Sequence, residues 1–313
     1  MTIVFHASGR PNPAIDWKRP LGGVGLAAAL LLTGAPIADV VADTPNSGVG
    51  GPGGLASHRT LYEFSLAESG ARGGLESISG TMSAEWSHDC EGWTIAQTVD
   101  MVLYDRMGGA IEIASTYATW EAFDGSSFSF RLAQDSDVTG SQTLRGTATR
   151  RDGNDGGEGR VAVEYRSPTE GSETLPAGII FPVAHTVELI ERAAAGEPFY
   201  AATVFDGTEM DWEQKGSAFD ISATVSAAGL QAGPETGSET DERIDDSLRE
   251  AEAWRIVLAH FSSDAELMSP EFQTTMRLFG NGVADRLALD YGDFVVDATL
   301  TELERLPEPS CEG

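Results

Sequence analysis

EFQTTMRLFGNGVADRLALD, residues 271–290, reads as a β-hairpin. Phe272, Met276 and Leu278 offer apolar side chains on one face of the first arm, and Val283, Leu287 and Leu289 answer from the second. Asn281-Gly282 stands between them. A type I′ turn needs positive φ at both central residues, and Asn followed by Gly tolerates this best. The expectation is a two-residue turn joining antiparallel strands 271–279 and 283–290.

The same pattern extends outward in both directions. Phe294 to Leu306 reads as a final strand before Pro307 and Pro309. Upstream, Trp254 to Phe261 and Phe219 to Val225 are rich in β-branched and aromatic residues, the signature of a half-buried pleated surface. Further back, strands are expected at His58–Ala67, Leu75–Trp86, Gly92–Tyr104, Ala110–Phe123, Ser127–Ala133, Thr143–Arg150, Val161–Arg166 and Phe199–Phe205. Asp124-Gly125 and Asp206-Gly207 carry hairpin signatures. A dozen short strands with regular turn signals point to a barrel or sandwich, and the length favours one curved, barrel-like sheet. One helix interrupts the pattern at 182–195, with Val183, Val187 and Ile190 on one stripe. Pro182 suits its first turn and Gly196 its stop, so it is expected to plug or cap the sheet.

The first 42 residues read as a cleaved signal peptide. Arg10, Lys18 and Arg19 precede the apolar run Leu21 to Leu32, and Val40 and Ala42 supply small residues before Asp43. That run is shorter than the roughly 20 apolar residues of a spanning helix, and no other long apolar segment occurs, so no transmembrane segment is expected in the mature chain. Residues 43–57, rich in Gly, Pro and Ser, read as a disordered leader, and 58–313 as one domain. An acidic stretch at 229–252 reads as a loop insertion with a short helix at Asp245 to Ala253.

Charge excludes some partners. The 313 residues carry a formal net charge of −29, with 49 acids against 20 lysines and arginines. Such a surface repels phosphate backbones and anionic lipid, so neither nucleic acid nor bare membrane is an expected partner.

Motifs for catalysis are missing: the chain has no Gly-x-Ser-x-Gly elbow and no His-Glu-x-x-His. His88 beside Cys90 gives two donors where a zinc site needs four. His185, near the helix start, reads as a capping or packing residue. The loop RDGNDGGEG at 151–159 offers calcium-type oxygens. Gly156 and Val163 stand where that pattern needs an acid or amide and a glutamate, so a plain hairpin connection is expected. Trp86, Trp93, Trp120, Trp212 and Trp254 could form a sugar platform but are read as core. No cofactor, metal or catalytic residue is assigned, and an enzyme is not expected.

The two cysteines, Cys90 and Cys311, permit a single intramolecular pairing in an oxidising compartment. Two free thiols or an intermolecular bond remain open. An intramolecular bond would contribute about 5 kcal/mol by the loop-entropy model.

The landmarks, in order, resemble the EipB-like cell-envelope integrity family of alphaproteobacteria. They are His58-Arg-Thr-Leu-Tyr62; Glu85-Trp86; Cys90-Glu-Gly-Trp93; Glu121-Ala-Phe-Asp-Gly125 with Phe128 to Phe130; Leu175-Pro-Ala-Gly178; Phe181-Pro182 with His185; Phe205-Asp-Gly207; Asn281-Gly-Val283; Leu289-Asp-Tyr-Gly-Asp-Phe294; and Cys311. The resemblance covers residues 56 to 312. It implies an open, spiral-like β-barrel in the periplasm with one disulfide, carried onto Cys90 and Cys311. It also implies a part in envelope integrity under stress and a tetratricopeptide-repeat protein as partner. It brings no catalytic residues. A half-open barrel also leaves room for a hydrophobic ligand, an acyl chain or lipopeptide.

Overall fold

The computed structural model describes residues 51–70, 74–151, 159–209, 213, 216–227, 243–261 and 269–311. The expected signal peptide, the first part of the expected leader, the acidic stretch 228–242, Trp212 and the interior of the 151–159 loop lie outside the described residues.

Among the described residues, fourteen strands form a single antiparallel sheet. They are β1 His58–Ser69, β2 Leu75–His88, β3 Gly92–Asp105, β4 Ala110–Ala122, β5 Ser127–Ser136, β6 Gln142–Arg150, β7 Val161–Ser167, β8 Gly171–Leu175, β9 Phe199–Val204, β10 Phe219–Ala227, β11 Ala253–Phe261, β12 Phe272–Phe279, β13 Ala284–Asp290 and β14 Phe294–Arg305. The helix α1, Pro182–Ala194, lies between β8 and β9. The spatial order is β8-β7-β6-β5-β4-β3-β2-β1-β14-β13-β12-β11-β10-β9. The first and last strands therefore pair in the middle of the sheet, from His58↔Arg305 to Ser69↔Phe294. The two sheet edges are β8 and β9, neighbours in sequence that are joined through α1 and do not pair with each other. The sheet is an unclosed, barrel-like spiral.

Alternation is what makes these strands. In β1, His58, Thr60, Tyr62 and Phe64 are buried while Arg59, Glu63 and Ser65 face out, the period-two pattern of a sheet with one wet face. One apolar cluster fills the interior of β9 to β14 and β1 to β3 and includes Leu189 and Ala193 of α1. A second fills β4 to β8 together with Ile179, Phe181 and Phe205.

Several local expectations need correction. The turn at Asn281-Gly282 is a three-residue loop: Phe279 N–H donates to Val283 O at 2.8 Å, and positive φ (85°) falls on Gly282. This is the geometry of a type I turn followed by a left-handed glycine. Asn281 is used as a tie instead. Its Nδ2 donates to Leu248 O and its carbonyl accepts from Ala56 N–H. The Asp124-Gly125 connection spans 123–126. Asp206-Gly207 is no tight hairpin, because β10 starts only at Phe219 and Asp206 is fully buried. The leader, expected disordered to Ser57, is ordered from Gly51, with Leu55, Ala56 and Ser57 buried. The described end of the acidic insertion is also anchored: Ile244 bridges to Leu303, and Leu248, in a short 3-10 turn at Asp246–Arg249, is fully buried.

Candidate functional site

The edges β8 and β9 have to be brought together without a ladder, and the residues that do this surround α1. The helix starts at Phe181-Pro182, and neither Phe181 nor a neighbouring residue caps it locally. The first N–H groups of a helix need acceptors from somewhere. Glu121, at the end of β4, supplies them: its carboxylate accepts from Val183 N–H at 2.7 Å and Ala184 N–H at 2.9 Å. Glu121 is 3% exposed. Burial pushes its carboxyl up to about 7, against the pull of the two N–H donors and of Arg150. Arg150 donates to Ile179 O (2.8 Å) and Gly125 O (3.2 Å), and its guanidinium stands 5.5 Å from the Phe181 ring centroid.

Behind this clasp lies an aromatic seam. Phe128 stacks on Phe181 at 5.0 Å, and Phe205 meets Phe130 edge-on at 5.4 Å and Phe128 at 5.9 Å. Tyr117 Oη donates to Asp206 O at 2.6 Å. Asp206 Oδ1 in turn accepts from Thr208 N–H and Oγ1. Gly207 sits at φ 70°, and a Cβ there would come within 2.3 Å of Phe130. The backbone adds one parallel bridge, Ile180↔Val204. The spiral is thus closed by side chains from β4, β5 and the segments flanking α1.

Within the described residues the buried face of α1 is Pro182, Val183, His185, Thr186, Leu189 and Ala193. Val187 and Ile190, expected on that face, are half-buried. His185 packs and does not cap, stacking on Tyr200 at 5.6 Å. Across the interior, His260 is sandwiched by Phe272 (4.1 Å) and Phe219 (6.0 Å), and the stack continues through Tyr291 to Phe294. Burial lowers both histidines to about 3, so both are neutral at ordinary pH.

The other built region is where the chain ends meet. Cys90 and Cys311 are brought together with Cα atoms 5.5 Å apart, inside the span of about 4.4–6.8 Å that a disulfide requires. His88 contacts Glu308, which also accepts from Ser57 Oγ at 3.2 Å. Leu306 N–H donates to Ser57 O. Trp93 donates its indole N–H to Pro52 O at 3.2 Å. Trp86, Trp93 and Trp254 are buried in the core, and Trp120 donates to Asp89; these four form no sugar platform. Among the described residues no group of three or more His, Cys, Asp or Glu could hold a metal ion.

The family model for EipB-like proteins matches residues 50–307. The chain belongs to the EipB-like family. A curated relative, the cell envelope integrity protein EipB of Brucella abortus (strain 2308), is 27% identical over 253 residues, covering 80% of this chain and 84% of that protein. A crystal structure of a β-barrel-like protein from Brucella abortus, described as a domain of unknown function, superposes with a TM-score of 0.67 at 24% identity. It covers 81% of this chain and 99% of that one.

In this EipB-like chain the scattered landmarks gain a physical meaning. Glu121, Phe128, Phe130, Phe181, Phe205 and Gly207 converge on the seam. His58, Trp93, Asn281 and Cys311 belong to the meeting of the chain ends. The clasp role of Glu121 was not read from the sequence. The signal that could have found it is a helix opening on Phe-Pro with no Ser, Thr, Asp or Asn at its cap.

Proposed function

We propose that this chain is a non-enzymatic periplasmic protein that supports cell-envelope integrity by binding another periplasmic protein. The likeness to the envelope integrity protein of Brucella abortus, over four-fifths of both chains, carries the reading. The architecture supports it. A helix held by a buried carboxylate fills the spiral, and the sheet is left as a rigid frame for surface turns. The family resemblance names a tetratricopeptide-repeat protein as the partner class. Export is proposed through cleavage before Asp43, and oxidation of Cys90 with Cys311 follows from that compartment. Loss of the gene should sensitise cells to detergent. A photo-crosslinking residue on the mature protein should capture one protein in the periplasm. Normal detergent resistance together with no captured protein would overturn the reading.

A second reading is a carrier for an acyl chain or lipopeptide. Half-buried Leu66, Leu103, Ile113, Phe219 and Phe294, all packed against the main core at one end of the strands, favour it. Lipid mass spectrometry of the purified protein tests it: a stoichiometric acyl species supports the carrier, and a lipid-free protein sinks it.

A further inference from the structure

The meander gives the sheet two unlike ends. One carries both chain ends and the arginines Arg59, Arg243, Arg249, Arg277 and Arg305, each paired with a carboxylate. The other carries the turns β1–β2, β3–β4, β5–β6, β7–β8, β9–β10, β11–β12 and β13–β14. At this turn end the described basic side chains are Arg106, Arg166 and, level with Ser167 on β6, Arg145, among many carboxylates. None of these carboxylates forms a salt bridge to a described basic side chain.

Two neighbouring tips at the turn end stand out. Met107, in the β3–β4 turn, is 86% exposed, Val138, in the β5–β6 turn, 56%, and Tyr104 41%. Ile111 and Ile113 beside them are only half-buried. Among the described residues, the other exposed large apolar side chains are Phe123, edge-on to His88, and Phe199, which opens β9. The two tips are bonded to each other. Asp137 N–H donates to Glu112 O, and Asp137 Oδ2 accepts from Glu112 N–H at 3.0 Å. Asp105 fixes the Met107 turn by accepting from Met107 N–H (2.7 Å) and Gly109 N–H (3.0 Å). Rigid turns thus present adaptable apolar side chains next to three carboxylates.

We infer that the β3–β4 and β5–β6 tips form the docking surface for a basic segment of a protein partner, one that sets lysine or arginine beside apolar side chains. This rests on the partner-binding reading above. Contiguous exposed apolar surface marks interaction sites, and a methionine suits a surface that adapts to its partner. The interleaved Asp105, Glu112 and Asp137 select the sign of that partner's charge, because complementary potentials steer association and reject like charge.

The test uses the mature protein and a labelled 18-residue helical peptide of leucine and lysine, followed by fluorescence anisotropy at 150 mM salt. M107S/V138S and E112Q/D137N should each weaken binding at least tenfold, and the Lys→Glu peptide should not bind. E63Q/D297N, on the exposed outer face of β1 and β14, should change binding less than twofold. Equal weakening in E63Q/D297N would reduce the effect to diffuse attraction and overturn the inference. So would full binding by M107S/V138S, or a dimer of this chain, seen by sedimentation, that M107S/V138S dissolves. If photo-crosslinking still captures the periplasmic protein with both tip variants, this surface is wrong while the partner-binding reading stands. If even the wild type captures nothing and loss of the gene leaves detergent resistance normal, that reading itself fails.

Discussion

The spiral is held at two places by different physics. Where β1 meets β14, the first and last strands zip along a long ladder, with register shifts at Leu61/Tyr62 and Leu66/Glu68, and exposed Arg59 adds bonds to Glu85 and Glu304 on its two neighbours. Where β8 meets β9 there is one parallel bridge, and closure falls to Glu121, Tyr117 and a cluster of phenylalanines. A ladder spreads its free energy over many equivalent bonds, so the loss of one is absorbed. A side-chain seam concentrates it, because a buried donor that loses its only acceptor carries the full desolvation cost. Single substitutions should therefore hurt the seam more per atom changed.

The largest effect is expected at Gly207→Val in the seam. Its positive φ and the collision with Phe130 together should cost about 4 kcal/mol. Chemical denaturation reads this as a lowered midpoint. On the ladder side, Cys311→Ser should cost about 3 kcal/mol through the denatured chain, since the bond would close a separation of 221 residues. Equal midpoints under reducing and oxidising conditions would contradict that. Gly282→Val, at φ 85° with a Cβ 2.8 Å from Leu55, should cost about 2 kcal/mol.

The two places should also answer acid with opposite signs. Glu121 in the seam has its carboxyl raised to about 7 by burial. Folding then takes up a proton: its contribution is fully present below the unfolded value of about 4.5 and is lost as pH rises through 7. His58, at the start of β1 and stacked on Trp86, is lowered to about 4 by burial, even though its bond to Ala56 O pulls upward. Its contribution is present above about 6.5 and is lost as pH falls toward 4. Between pH 7 and 5 each should change stability by about 2 kcal/mol, in opposite directions. Melting curves at the two pH values check this: H58F should be less acid-sensitive than wild type and E121Q more so. Tyr117→Phe, which removes one buried bond to Asp206, should cost about 1 kcal/mol and is the smallest effect of the set.

The ladder side was largely legible from the sequence, and the seam was not. Alternation of the Tyr62 and Phe64 kind is a local signal, and it marked thirteen of the fourteen strands. β8 escaped because GSETL offers one apolar residue, as suits a short edge strand. Asp206-Gly207 was misread because a turn dipeptide looks the same whether solvent or Tyr117 surrounds it. Glu121 looked like one more carboxylate in an acidic chain, since nothing near it in sequence shows that β4 ends beneath the start of α1. The landmark order was informative because it sampled both places, without showing which residues touch. For the candidate site, the cysteine pair could be named in advance. The exposed tips could not, because Met107 and Val138 become neighbours only once β4 and β5 pair.

Hydrogen exchange followed residue by residue on Glu121→Ala tests the central claim most directly. The account predicts that amides of α1 and of segments 176–181 and 204–208 lose protection together, while the β1–β14 ladder keeps its own. Uniform loss across the sheet, or an unchanged pattern around Val183 and Ala184, would contradict a spiral closed by this buried carboxylate and its aromatic seam.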